Sequence, residues 1–183
     1  MKDKNVEDLQ EFIEILCRGM VAHPEEISAE MVRHQETGEI SAIVHRNPKD
    51  YPKLIGKSGA NYTTLCRLAI RAGKRIKENV SLFIPSELGK IPGRRAGFKP
   101  KRKWEAEEFV ERIKLLSNSL LDDVEVWHKE ADDATQIEIL VDSCEESKNV
   151  GKDLSYVAKI HGKSQGRQVR LRVYCRSEIW NRQ

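Results

Sequence analysis

The sequence predicts an α+β protein made of two copies of one unit, and three observations predict it. Leu9, Ile13, Leu16 and Met20 stand at steps of 4, 3 and 4, and Phe109, Ile113, Leu116 and Leu120 repeat the same steps. Steps of this kind put apolar side chains on one face of a helix. Each helical pattern is followed by two strand-like runs, a helical stretch and a closing strand. Between the copies lies SELGKIPGRRAGFKPKRK, with three glycines, two prolines and no apolar periodicity, which reads as a linker. The expected organisation is residues 1–85, a linker at 86–103, and residues 104–183.

In the first copy the amphipathic helix starts near Val6 and ends before His23-Pro24. Residues 28–34 form a weak strand, Thr37-Gly38 a turn, and Ile40 to Val44 the second arm of a hairpin. Asn47-Pro48 is a helix start, because Asn can cap and Pro at the first helical position gives up only an N–H that had no partner. That helix is short, since Gly56 stands where a left-handed C-terminal turn needs it. A second helix is predicted from about Ala60 to Ala72, with Leu65, Leu68 and Ile70 inward, Arg67, Arg71, Lys74 and Arg75 outward, and Gly73 as its stop. The run NVSLFIP closes the unit as a strand. In the second copy VEVWHKE and TQIEILVD give the hairpin, residues 147–159 the helical stretch and VRLRVYC the last strand.

The chain has 183 residues, 39% apolar, 33% charged and 6% aromatic, enough to bury one medium core or two small ones. No run of about 18 apolar residues and no apolar N-terminal signal segment is present, so a soluble, cytoplasmic protein is expected, without a membrane partner. Cys17, Cys66, Cys144 and Cys175 show neither CxxC pairing nor metal-ligand spacing. They read as small buried hydrophobes in a reducing compartment. The net charge of +3 is unevenly placed: residues 1–84 carry +1, residues 85–103 carry +6 and the remainder −4.

Gly-Lys-Ser occurs twice, at Gly56 and at Gly162, and the triplet invites comparison with nucleotide-binding loops. Such loops need GxxxxGK[ST], in which the first glycine lets the backbone wrap a phosphate. Tyr51 and Val157 stand where that glycine belongs, so nucleotide hydrolysis is not expected. Gly56-Lys57-Ser58-Gly59 is instead a GxxG loop between two helices. Glycines at both ends allow a turn tight enough for a sugar-phosphate backbone to reach the peptide backbone. The next helix points unsatisfied N–H groups at the same place, with Lys57 adding a cation and Ser58 a hydroxyl.

Over residues 6–85 this pattern resembles the KH domain family in its prokaryotic type II order. It is carried by FIEILCRGMVAHPEEI, by NPKDYPKLIGKSGANYTTLCRLAIRA and by VSLFI, and is similar to the small bacterial KH RNA-binding proteins of the KhpA kind. The resemblance implies a groove for about four unpaired nucleotides clamped by the GxxG loop. It implies an opposite wall around Ala42 to Arg46, an aliphatic floor from Leu54 and Ile55, and phosphate contacts from Lys57 with Lys53, Arg67 and Arg71. The second copy departs from the pattern: at KNVGKDLSY, Val150-Gly151-Lys152 matches Ile55-Gly56-Lys57, but the second glycine is missing and Asp153 intrudes. HGKSQG lies late in the unit as the turn before the last strand. A diverged KH-like copy is expected there, serving packing, homo-oligomerisation or a protein partner.

In the linker, Arg94, Arg95, Lys101 and Arg102 are candidates for releasing counterions from a nucleic-acid backbone. Trp104, Trp127 and Trp180 read as core or interface anchors. The five histidines lack paired spacing, and the carboxylate clusters fall at helix starts and turns. No cofactor, metal, small-molecule substrate or enzymatic activity is expected. The function that follows is single-stranded RNA binding, mRNA included, as an RNA chaperone or post-transcriptional regulator. The alternatives are an assembly protein using the folds for protein contacts, and single-stranded DNA binding.

Overall fold

The computed structural model describes residues 4–86, 106–131 and 134–177. It is mixed α+β and divides into two compact units, Met1–Lys99 and Pro100–Gln183. Among the described residues no helix is long and apolar enough to cross a membrane. Trp104, Trp180 and the linker cations Arg94, Arg95, Lys101 and Arg102 lie outside the described residues.

The first unit runs α1 (Lys4–Arg18), β1 (Ser28–Arg33), β2 (Ile40–His45), α2 (Tyr51–Ile55), α3 (Ala60–Arg75), β3 (Val80–Phe83). Its sheet has the order β1-β2-β3, with β2 antiparallel to β1 and parallel to β3. The helices α1 and α3 pack on one face of it. The core joins Leu9, Phe12, Ile13 and Leu16 of α1 to Leu65, Leu68, Ala69 and Ala72 of α3, over Ala29, Ala42, Val44 and Leu82 of the sheet, all buried. Each large aliphatic side chain so buried contributes roughly 1.5–3 kcal/mol. Asn47 caps the turn at Pro48–Asp50 through its side chain, which accepts from the Lys49 N–H.

Two expectations for α3 are corrected. Ile70 is 43% exposed, because the buried stripe runs Leu65, Leu68, Ala69, Ala72 and leaves Ile70 on the far side. Gly73 does not stop the helix, which continues to Arg75. It is glycine because a Cβ there would lie closer than 3.0 Å to the Val80 side chain and to the Glu78 carbonyl.

The second unit runs α4 (Ala106–Asn118), β4 (Glu125–Glu130), β5 (Ala134–Val141), α5 (Cys144–Ser164), β6 (Gln168–Cys175). Its sheet order is β4-β5-β6, again antiparallel then parallel. Phe109, Ile113 and Leu116 of α4 and Leu154, Val157 and Ala158 of α5 are buried over Ile137, Ile139 and Leu171. The helical stretch expected at 147–159 lies within α5, which is one helix of 21 residues and runs past Gly151 without a break. Without a second glycine nothing at Asp153 or Leu154 favours left-handed backbone, and a Cβ on Gly151 would press on Val173 of β6 at 3.2 Å. Gly162 is helical too, so only Gln165-Gly166 forms the turn before β6.

The cysteine reading is corrected in the same unit. Cys144, at the start of α5, is disulfide-bonded to Cys175, at the end of β6, with Cα atoms 5.0 Å apart. The two lie 31 residues apart in sequence, and the parallel crossover through α5 brings them together. Cys17 is buried and free, its thiol pushed up to about 12 by burial and by the nearby Glu14 carboxylate.

The units match in detail where the long helix meets the last strand. Gly73 faces Val80 and the Glu78 carbonyl as Gly162 faces Val169 and the Arg167 carbonyl. The Glu78 and Arg167 N–H groups both donate back to the glycine carbonyl at 2.9 Å. Left-handed backbone occurs at Lys77 in one and at Gly166 in the other. An ion pair then ties each turn to its hairpin, with the charges exchanged: Arg33 on β1 meets Glu78 at 2.7 Å, whereas Glu130 on β4 meets Arg167 at 2.6 Å.

Candidate nucleic-acid interface

The loop from Gly56 to Gly59 is held open by its backbone. Gly56, Ser58 and Gly59 have φ of 74°, 52° and 77°. Glycine reaches this region freely, while Ser58 does so at a cost of roughly 1–2 kcal/mol. The Gly56 N–H closes α2 by donating to Pro52 O at 2.9 Å, and the Gly59 N–H donates to Gly56 O at 3.3 Å. A Cβ at Gly56 would meet the Asn61 side chain at 2.6 Å, whereas Gly59 has nothing within 4 Å of where its Cβ would stand. Gly56 is therefore fixed by packing from below, and the space above Gly59 is open.

Lys57 and Ser58 are exposed at the tip. Gly59 supplies no side-chain cap to α3 and the Ala60 N–H donates to Lys57 O, so what the start of this 16-residue helix adds beside the Lys57 ammonium is the positive end of its dipole. The exposed ammonium and the helix dipole give this tip a local charge of the sign that attracts anions.

Asn61 and Asp50 hold the loop from behind. The Asn61 amide donates to Lys53 O at 2.5 Å, tying α3 back to α2. Asp50, fully buried, accepts from the Ala22 N–H at 3.1 Å, the His23 N–H at 2.9 Å and Lys53 Nζ at 2.8 Å, and its carboxylate lies 2.9 Å from His23 Nδ1. Burial pushes its carboxyl up, but the hydrogen bonds from Lys53, Ala22 and His23 outweigh this and hold it below the usual carboxylate range. The Tyr62 hydroxyl reaches from α3 to Leu82 O on β3 at 2.9 Å. Sequence reading missed all three. Asp50 and Asn61 are short polar residues of a kind common around turns, and nothing local marks Tyr62 as reaching β3.

The residues expected to make contact fall into three groups. Gly56, Lys57, Ser58 and Gly59 form the loop, with Ile55 half-buried at its base. Arg67 is exposed, its guanidinium near Thr64 Oγ1 at 3.3 Å, and shares the outer stripe of α3 with Thr63 and Ile70; Arg71 is half-buried. Lys53 has its ammonium on Asp50, inside the scaffold, and Leu54 is sealed in the core with no surface. A floor made by Leu54 is thus corrected.

The wall is expected on the exposed side of the hairpin's second strand, around Ala42 to Arg46. As the central strand, β2 turns Ala42 and Val44 into the core, and Ser41, Ile43 and His45 lie on the sheet face away from the helices. Arg46 stacks on the Tyr51 ring at 4.6 Å and donates to Pro85 O at 2.5 Å. Tyr62, not the hairpin, links the loop's helix to the sheet, and it does so at β3. No protein-family model matches the chain, and no curated protein matches it significantly.

Proposed function

We propose that the chain binds single-stranded RNA through the first unit, which we read as a type II KH domain, and that it acts as an RNA chaperone or post-transcriptional regulator. One observation carries the reading: a GxxG loop with open space above Gly59 and exposed Lys57 and Ser58, set at the uncapped start of α3. The order helix, strand, strand, helix, loop, helix, strand supports it, with β2 antiparallel to β1 and parallel to β3. A loop of this kind grips the backbone of about four nucleotides, so affinity comes from phosphates and tolerates sequence. The second unit is on this reading a diverged copy that lost the loop when its two helices fused into α5.

The test is fluorescence anisotropy with a mixed-sequence single-stranded RNA across a salt series. Lys57→Asp/Ser58→Asp sets two negative charges in the loop and keeps both glycines. We expect a loss of at least about ten-fold, with circular dichroism unchanged. Full retention of binding would overturn the loop's role. Equal affinity for the matching DNA strand would move the reading from RNA to single-stranded nucleic acid at large.

A further inference from the structure

The second unit is acidic as a whole, yet its cations are gathered on one side. Residues 104–183 carry 12 Lys and Arg against 16 Asp and Glu. Seven of those cations, Lys148, Lys152, Lys159, Lys163, Arg167, Arg170 and Arg172, line two adjoining depressions of about 710 and 810 Å³ between α5 and β6. All but Arg167 are exposed. The depressions share Ser155, Lys159 and Arg172, which makes them one continuous groove.

Helix and strand periodicity explain the gathering. Lys148, Lys152, Ser155, Lys159 and Lys163 succeed one another at steps of 4, 3, 4 and 4, a single face of α5. Arg170, Arg172 and Tyr174 alternate along β6 on the side away from the core. β6 is an edge strand, so the groove floor is open along its length. Among the described residues no carboxylate lines it. Two carboxylates lie beside it: Glu130, paired with Arg167 at 2.6 Å, and Glu138, opposite Arg172 in the sheet register.

We infer that this α5/β6 groove is a second binding surface for single-stranded RNA, independent of any GxxG loop. The inference rests on the reading that the chain binds RNA. From Lys148 to Lys163 the helix rises about 22 Å, so four ammonium groups follow a track suited to a repeating anion. Lysine offers point charges without the planar fork that reads base edges, which fits backbone contact. Tyr156 and Tyr174 both line it, half-buried, and their rings give bases apolar faces to stack on. An acidic peptide would satisfy the charge, but its carboxylates leave the rings unused. The continuous helix has a role here: one rod, α5, where the first unit has α2, a loop and α3, removes the loop and lengthens the row of cations.

The test uses the full chain with Lys152→Gln/Lys159→Gln/Lys163→Gln, substitutions that preserve helix propensity at exposed positions. Anisotropy with a mixed-sequence single-stranded RNA should show binding weaker by about ten-fold to a hundred-fold near 0.1 M salt. The slope of log affinity against log salt should be shallower by about 2, since each single-strand phosphate contact contributes about 0.7. Arg170→Gln/Arg172→Gln, altering the strand wall alone, should act in the same direction. Unchanged affinity and slope in both variants would overturn the inference, as would displacement of the RNA by polyglutamate at equal charge concentration. Comparison with Lys57→Asp/Ser58→Asp separates the two sites. If the loop variant binds like the native chain and the groove variants do not, the reading of the first unit fails and this one stands. The reverse pattern overturns this one alone. No RNA binding by the native chain overturns both.

Discussion

Asp50 decides more than its size suggests. Its carboxylate is shut away from water and joins three segments: the end of the α1 connection at Ala22 and His23, its own turn, and α2 through Lys53. Because its folded pKa lies below the unfolded value near 3.8, it stabilises the unit at every pH above that value. The contribution disappears as pH falls further, through the lower folded pKa. Asp50→Asn removes the charge but keeps the shape, and we expect it to cost about 1–3 kcal/mol at neutral pH. Urea denaturation of the first unit's transition between about pH 2 and pH 5 should give a flatter profile for the variant than for the native chain. Parallel profiles would show that the acid dependence arises elsewhere. Of the residues named from sequence, those of the loop were legible because two glycines around two polar residues announce a backbone constraint. Leu54 was not, since a single leucine in a five-residue helix has no periodicity to say which way it points.

At the level of elements, helix positions were readable wherever three or four apolar residues repeated, as in α1 and α4. Joints were not. Gly73 and Gly162 look like helix stops in the sequence, but each permits a helix to lie against a valine of the next strand, a contact made only in the folded unit. The disulfide was hidden for the same reason: 31 residues of sequence separate two atoms that a parallel crossover brings together. The matched joints make a substitution testable. Lys77 holds left-handed backbone with φ 61°, where the other unit uses Gly166. Lys77→Gly should relieve strain and raise the first unit's stability by about 1 kcal/mol. Its denaturation midpoint should rise while that of the second unit stays fixed; a fall would mean that the Lys77 side chain contributes more than its backbone costs.

For the molecule as a whole, repetition was the most legible property and fusion the least. The doubled 4, 3, 4 spacing and the shared strand order declare a duplicated plan. Nothing in KNVGKDLSY distinguishes a weakened loop from no loop, because helix continuity depends on what packs against Gly151. The duplication also creates a hazard, since a hairpin of one half could settle on the helix–strand turn of the other while the chain folds. The exchanged ion pairs bear on that choice. A misplaced hairpin would bring Arg33 to Arg167 or Glu130 to Glu78, like against like, where the correct partner offers attraction. Reversing one pair, Arg33→Glu/Glu78→Arg, keeps each unit's internal attraction and gives both halves the same polarity. Refolding from urea should then yield more swapped or aggregated material by size-exclusion chromatography, and an unchanged yield would leave the exchange without a role in folding. On this account the two halves recognise themselves by the sign of a single contact, as two similar keys are told apart by one inverted tooth.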